Sequence, residues 1–213
     1  METGTTAKRE GLRRLLRPEV LDRVEQVTIL VLWFFLLQRM LGSDNPLAPL
    51  ALLSETAIAF FVLIRRPTGA ISLSLGDWML ATTATAAPML VQPGAEPAKP
   101  IVVAGIAILI AGTCLHILAK LYLRRSFGIA PANRGVKVDG PYRLVRHPMY
   151  SGYLLTHVGI FLMMPTVFNV VIYVIGWTAQ ILRLLAEERL LAQDPAYRAY
   201  LDRVRWHLIP GIF

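Results

Sequence analysis

Long apolar tracts constrain this chain more than any other feature of its sequence. About 20 predominantly apolar residues are needed to cross the hydrocarbon core of a bilayer. Four tracts approach that length in the first part of the chain, at residues 24–41, 47–64, 73–91 and 101–123. With 55% hydrophobic and only 17% charged residues, the chain is also too apolar for an ordinary soluble domain. We therefore predict an all-α, polytopic membrane helix bundle.

A fifth apolar tract, residues 149–185, is too long for one crossing and is interrupted at Met163-Met164-Pro165-Thr166. Proline removes a backbone donor and disfavours helical geometry at the residue before it. We therefore predict a helical hairpin with two short arms, which brings the number of spans to about six. The third span is the weakest of the set, because it is rich in Ala and Thr and carries Asp77.

The positions of Lys and Arg predict the orientation of these spans. Basic residues in short loops accumulate on the cytoplasmic side of a membrane. They are abundant in residues 1–23, in the second and fourth connections and after the hairpin, whereas the other connections hold only Lys99. Both termini are therefore predicted to be cytoplasmic. The Lys- and Arg-rich segments on this side account for the net charge of +8. We therefore expect the positive charge to meet membrane lipids, and we expect no nucleic acid as a partner.

Residues 1–23 are predicted to form a basic amphipathic segment. Between Gly11 and Arg23, leucines and a valine alternate with arginines, a pattern typical of a helix that lies on anionic headgroups. No signal-peptide cleavage site follows the first span, so we expect that span to be retained. The predicted organisation is thus an anchor at 1–23, a four-span region at 24–123 and a chemistry-bearing region at 124–213.

The spans themselves contain few groups that could carry chemistry. Ionisable residues inside spans are functional candidates by default. Those that we single out are Glu55, Asp77, His116 and His157. The histidines lack the spacing of metal ligands and Cys114 is a single cysteine, so we predict no metal site. In the fourth span, Gly105 and Gly112 let neighbouring helices approach closely, which we interpret as packing.

Polar, aromatic and ionisable residues concentrate in two segments that flank the hairpin. Because a hairpin returns the chain to the side it left, residues 140–150 at its start should lie near residues 183–189 at its end. Both ends are predicted to be cytoplasmic, so we expect a pocket at that membrane surface. The tail either folds back over the pocket or anchors at the interface. Its relevant residues are Tyr197, Tyr200, Arg203, Trp206, His207 and Pro210.

The start of the hairpin combines a helix N-terminus with basic residues. Pro148 suits the first position of a helix and places His147 at the N-cap. Free backbone N–H groups there, together with Arg143 and Arg146, suit a bound carboxylate or phosphate. The alternative is that the arginines meet lipid phosphates and His147 only caps the helix.

The end of the hairpin carries two adjacent carboxylates. Glu187 and Glu188 lie near a helix C-terminus and the membrane edge, where carboxylates need compensation. Arg183 can pair with Glu187 four residues later, while Glu188 points about 100° away and needs another partner. Either these are salt bridges in contact with solvent, or one carboxylate accepts hydrogen bonds from hydroxyls or an ammonium of a ligand.

Together these motifs resemble the superfamily of isoprenylcysteine carboxyl methyltransferases and phospholipid methyltransferases, which are integral membrane enzymes. The residues that carry the resemblance are Gly140-Pro141-Tyr142-Arg143, Arg146-His147-Pro148-Met149-Tyr150, Glu187-Glu188, Leu191, Tyr197, Tyr200 and Pro210, with the hairpin between the second and third groups. The resemblance covers roughly residues 124–213, and the first four spans show no signature.

The resemblance implies that S-adenosylmethionine binds in a cytosolic pocket and that a lipophilic acceptor arrives laterally between helices. It implies S-adenosylhomocysteine as the second product. By likeness, the cofactor contacts are assigned to Arg146, His147, Tyr150, Glu187, Glu188 and Tyr200. The catalytic candidates are Arg183, near the acceptor, and Glu187.

Methyl transfer from a sulfonium requires alignment and exclusion of water, and it needs no covalent nucleophile. A prenylcysteine carboxylate would be oriented by Arg183, whereas an amine needs a base, for which Glu187, Glu188 or His147 is nearest. A thiol acceptor is a third possibility. Two other functions are left open: an NADPH-dependent reductase of the sterol-reductase type, which has a similar Arg-His-Pro element, and a non-enzymatic lipid-binding membrane protein.

Overall fold

Six helices organise the chain in the computed structural model, which describes residues 17–41, 56, 59–68, 70–94 and 97–213. They are α1 (Pro18–Leu41), α2 (Leu75–Ala86), α3 (Lys99–Leu123), α4 (Pro148–Met163), α5 (Val167–Leu191) and α6 (Pro195–Leu201). Three short 3-10 turns occur at Ala87–Leu90, Arg124–Ser126 and Gly140–Arg143. The backbone is also helical at 59–63. Within these ranges the only β-type pairing is one isolated bridge between Ile71 and Ala132, so the all-α class is confirmed.

Two of the described helices have the length and composition needed to cross a membrane. The helical stretch Lys99–Ser126 has 28 residues and Val167–Leu191 has 25. The outer face of α1 is also apolar, since Val27 is 60% and Phe35 is 66% exposed. Exposed apolar faces of this kind are typical of contact with lipid. Six spans with both termini cytoplasmic stay a prediction.

The third predicted span is shorter in the structure than in the sequence pattern. Helix α2 has 12 residues, and Pro88 falls in the 3-10 turn that follows it. Asp77 lies in the first turn of α2, where its carboxylate accepts a hydrogen bond from the Ser72 hydroxyl at 2.5 Å. Its role there is to organise the helix start.

The N-terminal predictions are only partly covered by the described residues. Glu55, residues 1–16 and most of the second predicted span lie outside them. Within them, residues 18–23 belong to the same helix as the first span. The helix that contains the first predicted span therefore begins before Val24, and this part of the predicted anchor is continuous with that helix.

The predicted hairpin is present. Helix α4 ends at Met163 and α5 begins at Val167. Asn169, which is fully buried, holds the turn: its amide nitrogen donates to the carbonyls of Gln92 and Met164 at 2.9 and 2.8 Å. The arms differ in length, with 16 residues in α4 and 25 in α5, so the prediction that both are short is wrong for the second.

Helices α3 and α4 pack through reciprocal glycine contacts. A Cβ atom added at Gly112 would lie 2.8 Å from the Gly152 carbonyl oxygen, and one added at Gly152 would lie 2.8 Å from that of Gly112. Gly105 and Gly159 form the same pair, at 2.9 and 2.6 Å. These separations leave no room for a Cβ, so the packing interpretation of the fourth span is confirmed. Helix α4 is thereby fixed against α3.

Candidate functional site

The two ends of the hairpin meet at Glu188. Its carboxylate lies 2.9 Å from Arg146 Nη1, 2.9 Å from His147 Nε2 and 3.2 Å from His207 Nε2. We call these four residues the Glu188 cluster. The prediction that residues 140–150 lie beside residues 183–189 is therefore confirmed. Glu188 was expected to need a further partner, and the structure supplies three: Arg146, His147 and His207.

Glu187 faces a different direction from Glu188. Its Oε2 accepts a hydrogen bond from the Tyr150 hydroxyl at 2.9 Å. Arg183 is placed over the ring of Tyr150, with Cζ 5.4 Å from the ring centroid, rather than in the ion pair with Glu187 that the spacing allowed. Tyr150 thus contacts both residues that were predicted to be catalytic.

A pocket lies beside Glu187, and its walls come from several parts of the chain. One wall is formed by residues 126–137, which we call the pocket loop; the others include the start of α4, the end of α5 and helix α6. The predicted site residues that line the pocket are Arg146, His147, Tyr150, Glu187 and Tyr200. Glu188 lines a neighbouring groove instead, together with Arg189 and Leu185.

Buried tyrosines supply hydrogen-bond donors to the pocket walls. Burial raises the pKa values of Tyr142, Tyr197 and Tyr200 far above the usual range, so their hydroxyls stay protonated. Tyr200 donates to the Tyr142 carbonyl at 2.7 Å. The Tyr197 hydroxyl and the Nε of Arg146 are buried and have no hydrogen-bond partner among the described residues. These two groups are available to a polar ligand.

The C-terminal tail folds back onto the start of α4, as one of the two alternatives predicted. The backbone N–H of Arg146 donates to the Trp206 carbonyl at 2.8 Å, and that of His147 donates to the His207 carbonyl at 2.9 Å. The Ser151 hydroxyl donates to the Leu208 carbonyl at 2.7 Å. The tail is therefore part of the site.

The predicted anion site at the start of α4 is largely filled by these contacts. The His147 N–H is used by the tail, and the N–H groups of Tyr150 and Ser151 bond to the His147 carbonyl. Arg143 pairs with Asp139 on the exposed surface at 3.4 Å. His147 occupies the N-cap as predicted, but its side chain makes no capping bond and binds Glu188 instead.

An aromatic wall extends from the pocket along one face of α4. Ring centroids are 5.5 Å apart for His147 and Tyr150, 6.1 Å for Tyr150 and Tyr153, and 6.3 Å for Tyr153 and His157. His157 continues the wall to Tyr173 of α5 at 5.3 Å. His116 of α3 joins it through Tyr153 at 4.0 Å. Both histidines singled out inside spans are therefore placed in this wall.

The structure also shows a buried ion cluster that the sequence did not single out as a site. It joins Asp22 and Glu25 of α1 to Arg65 and Arg134, each at most 5% exposed. Arg134 also lines the pocket. The spacing of Asp22 and Glu25, three residues apart, indicates that they share one face of a helix, but it gives no sign of their arginine partners.

The fold and the site together define a class: an all-α, membrane-associated protein whose pocket joins the two ends of a helical hairpin. Residues 100–197 match the family model described as phospholipid methyltransferase. This match agrees with the resemblance of the sequence motifs to the superfamily of membrane methyltransferases. The family match indicates methyltransferase activity.

The matched residues correct one detail of the resemblance. The match begins at residue 100 and so includes α3, whereas the fourth span was expected to show no signature. The glycine contacts between α3 and α4 explain why the two helices form one structural unit. No curated protein matches the chain.

Proposed function

We propose that the protein is an integral membrane methyltransferase that transfers a methyl group from S-adenosylmethionine to a lipophilic acceptor at the cytoplasmic face. The observation that carries this proposal is the convergence of Glu187, Tyr150 and His147, from both ends of the hairpin, around one pocket. The family match covers all three residues. It favours a methyltransferase over the reductase and over the non-enzymatic lipid-binding protein.

The side chains around the pocket fit the groups of this cofactor. Its ammonium and ribose hydroxyls need acceptors, and Glu187 supplies a carboxylate with one oxygen bonded to Tyr150. Its carboxylate needs donors, which the Arg146 Nε and the Tyr197 hydroxyl can provide. We propose that Arg146, His147, Tyr150, Glu187 and Tyr200 hold the cofactor. When bound, it supplies a methyl group activated by positively charged sulfur.

Glu188 has an indirect part in this proposal. Its carboxylate is engaged by Arg146, His147 and His207 and lies outside the pocket lining. By holding Arg146 and His147 it fixes two pocket residues in place. We therefore propose that Glu187 contacts the cofactor and that Glu188 orients Arg146 and His147.

The acceptor side is formed by Arg183 and the aromatic wall. The faces of the Tyr153, His157 and Tyr173 rings between α4 and α5 suit contact with a lipid chain and exclude water from the reacting groups. The family description favours a phospholipid acceptor, and for an amine of such a lipid the Glu187 carboxylate would serve as the proton acceptor. A carboxylate acceptor would instead be oriented by the guanidinium of Arg183.

Binding of S-adenosylhomocysteine to the purified protein in lipid nanodiscs tests this function by calorimetry. We expect one site per chain and a loss of affinity of about tenfold or more for Glu187→Gln, because a charge-assisted hydrogen bond is lost. Glu19→Gln, on the exposed start of α1, is the matched control and should bind as the wild type does. Unchanged affinity in both Glu187→Gln and Glu188→Gln would contradict the proposal, and binding of NADPH instead would indicate the reductase.

The acceptor is identified by incubating membranes that contain the protein with methyl-labelled S-adenosylmethionine. We expect label in an extracted lipid, and none in the same lipid when Glu187→Gln replaces the wild type. Label in a prenylated protein would assign the carboxylate acceptor. Absence of label from every lipid and protein would leave a binding function and overturn the proposed reaction.

A further inference from the structure

The pocket loop has no helix or strand of its own beyond the turn at its start. Residues 127–137 carry only bends and the single bridge at Ala132. Gly128, Arg134 and Val136 of this loop nevertheless line the pocket. Their positions therefore depend on contacts that the loop makes with other parts of the chain.

Glu25 of α1 holds the loop backbone directly. Its Oε1 accepts hydrogen bonds from the amides of Ile129 and Ala130, the latter at 2.8 Å. Its Oε2 lies 2.9 Å from Arg65 Nη1 and 3.0 Å from Arg134 Nη2. With a relative exposure of 2%, this carboxylate is among the most buried charges of the described chain.

Asp22 completes the arrangement one turn earlier. Its Oδ1 lies 3.0 Å from Arg65 Nη2 and 2.5 Å from Arg134 Nη2. Two carboxylates and two guanidinium groups thus balance each other away from water. Buried charges are tolerated when they are paired and hydrogen-bonded in this way. We call Asp22, Glu25, Arg65 and Arg134 the α1 clamp.

The opposite edge of the loop is bound as well. The Ser72 N–H donates to the Pro131 carbonyl at 2.8 Å, and the Asn133 N–H donates to the Ala70 carbonyl at 2.8 Å. The Asn133 side chain donates to Asp194, the N-cap of α6, at 2.9 Å. The loop therefore links α1 to the helix that carries Tyr197 and Tyr200.

We infer that Asp22 and Glu25 are positioning residues for ligand binding: they hold the pocket loop so that Gly128, Arg134 and Val136 form a preordered wall. This role rests on the proposed function for the identity of the ligand. Both residues lie outside the region that matches the family model. When the wall is ordered before binding, the loop loses no further conformational entropy as the ligand binds. Loss of the clamp would add that entropy cost to binding and would therefore weaken it.

The full chain in nanodiscs allows a direct test with Glu25→Gln, and with Glu25→Gln combined with Arg65→Gln. The double variant removes one charge of each sign and leaves the Asp22–Arg134 pair. Affinity and number of sites for S-adenosylhomocysteine are measured by calorimetry, and amide hydrogen exchange of residues 126–137 by mass spectrometry. Glu19→Gln is the control on the same helix.

We expect the dissociation constant to rise about five- to tenfold in both variants with an unchanged number of sites, and exchange in residues 126–137 to accelerate. A merely structural role would reduce the number of competent sites and leave the dissociation constant of the remainder unchanged, which would overturn the inference. Unchanged exchange in the loop would overturn it too. If the wild type binds no S-adenosylhomocysteine, the proposed function fails, and the exchange measurement still decides whether the clamp orders the loop.

Discussion

The Glu188 cluster and the α1 clamp build the same pocket with ion pairs of different kinds. Each contributes an arginine to the pocket lining, Arg146 from the cluster and Arg134 from the clamp. In the clamp the paired side chains are 1–5% exposed, and every cation is a guanidinium. In the Glu188 cluster they are 8–20% exposed, and two of the three partners are histidines.

This difference determines what each group of charges can respond to. Arginine keeps its proton throughout the physiological range, so the clamp is expected to be insensitive to pH near neutrality. Histidine exchanges its proton in that range. His207, whose pKa is shifted, therefore makes the Glu188 cluster sensitive to pH, and the predictions below separate the two groups.

The largest effect is expected for Glu25→Ala. Removing one partner of a buried ion cluster leaves an uncompensated guanidinium charge and two unpaired loop amides, which typically costs ~3–5 kcal/mol of unfolding free energy. Denaturant unfolding of the protein in detergent micelles measures this loss. A destabilisation below ~1 kcal/mol would show that water reaches the clamp and that the contrast in burial is not real.

A smaller loss is expected for Glu188→Ala. Its carboxylate is 13% exposed, so removal leaves Arg146 and the histidines partly solvated, at a cost of ~1–3 kcal/mol. The same unfolding measurement applies. Glu187→Ala, which loses one hydrogen bond from Tyr150, serves as the neighbouring control. A Glu188→Ala loss as large as that of Glu25→Ala would remove the distinction between the two groups.

The third prediction concerns pH. Burial lowers the pKa of His207 below its ordinary value of 6.5, with the charges of Arg146 and His147 adding to this and Glu188 opposing it. The unfolded state then binds more protons as the pH falls below about 6.5, so stability should decrease in that direction.

Unfolding midpoints of wild type and His207→Gln between about pH 7.5 and 5.5 measure this contribution. We expect a shallower decline in His207→Gln. Glu25→Gln should keep the wild-type slope, because the clamp contains no histidine. Equal slopes in wild type and His207→Gln would contradict the assignment of pH sensitivity to the Glu188 cluster.

The smallest effect is expected for Arg143→Ala. Arg143 and Asp139 form an exposed i,i+4 pair, with side chains 74% and 72% exposed. Exposed pairs contribute about 0–1 kcal/mol, so the unfolding free energy should change by less than ~0.5 kcal/mol. This variant gives the baseline change in unfolding free energy against which Glu25→Ala, Glu188→Ala and His207→Gln are compared. A larger loss would mean that Arg143 has a partner outside this pair.

Local features of the sequence were sufficient to predict the hairpin and the meeting of its two ends. Pro165 interrupts an apolar tract that is too long for one crossing, and the ends of that tract carry the polar motifs. The 100° rotation between Glu187 and Glu188 predicted correctly that they face different surroundings. It could not indicate which one faces the pocket, because that depends on how α5 is rotated against α4 and the tail.

The α1 clamp shows where sequence reasoning stops. Its four charges come from three separate parts of the chain, and each alone is compatible with an ordinary charge near a membrane surface. Only their burial against one another makes them a unit. The length of α2 escaped prediction for a similar reason: an apolar composition indicates burial but does not fix where a helix ends.

The glycine contacts between α3 and α4 determine which parts of the molecule can move. Sliding α4 by one turn would bring Leu155 or Thr156 where Gly152 now faces Gly112, and no space exists for a larger side chain at that contact. The helix that carries His147 and Tyr150 therefore acts as a rigid reference frame. Any widening of the pocket to admit a ligand must come from the opposite walls, by displacement of the pocket loop, α6 or the C-terminal residues.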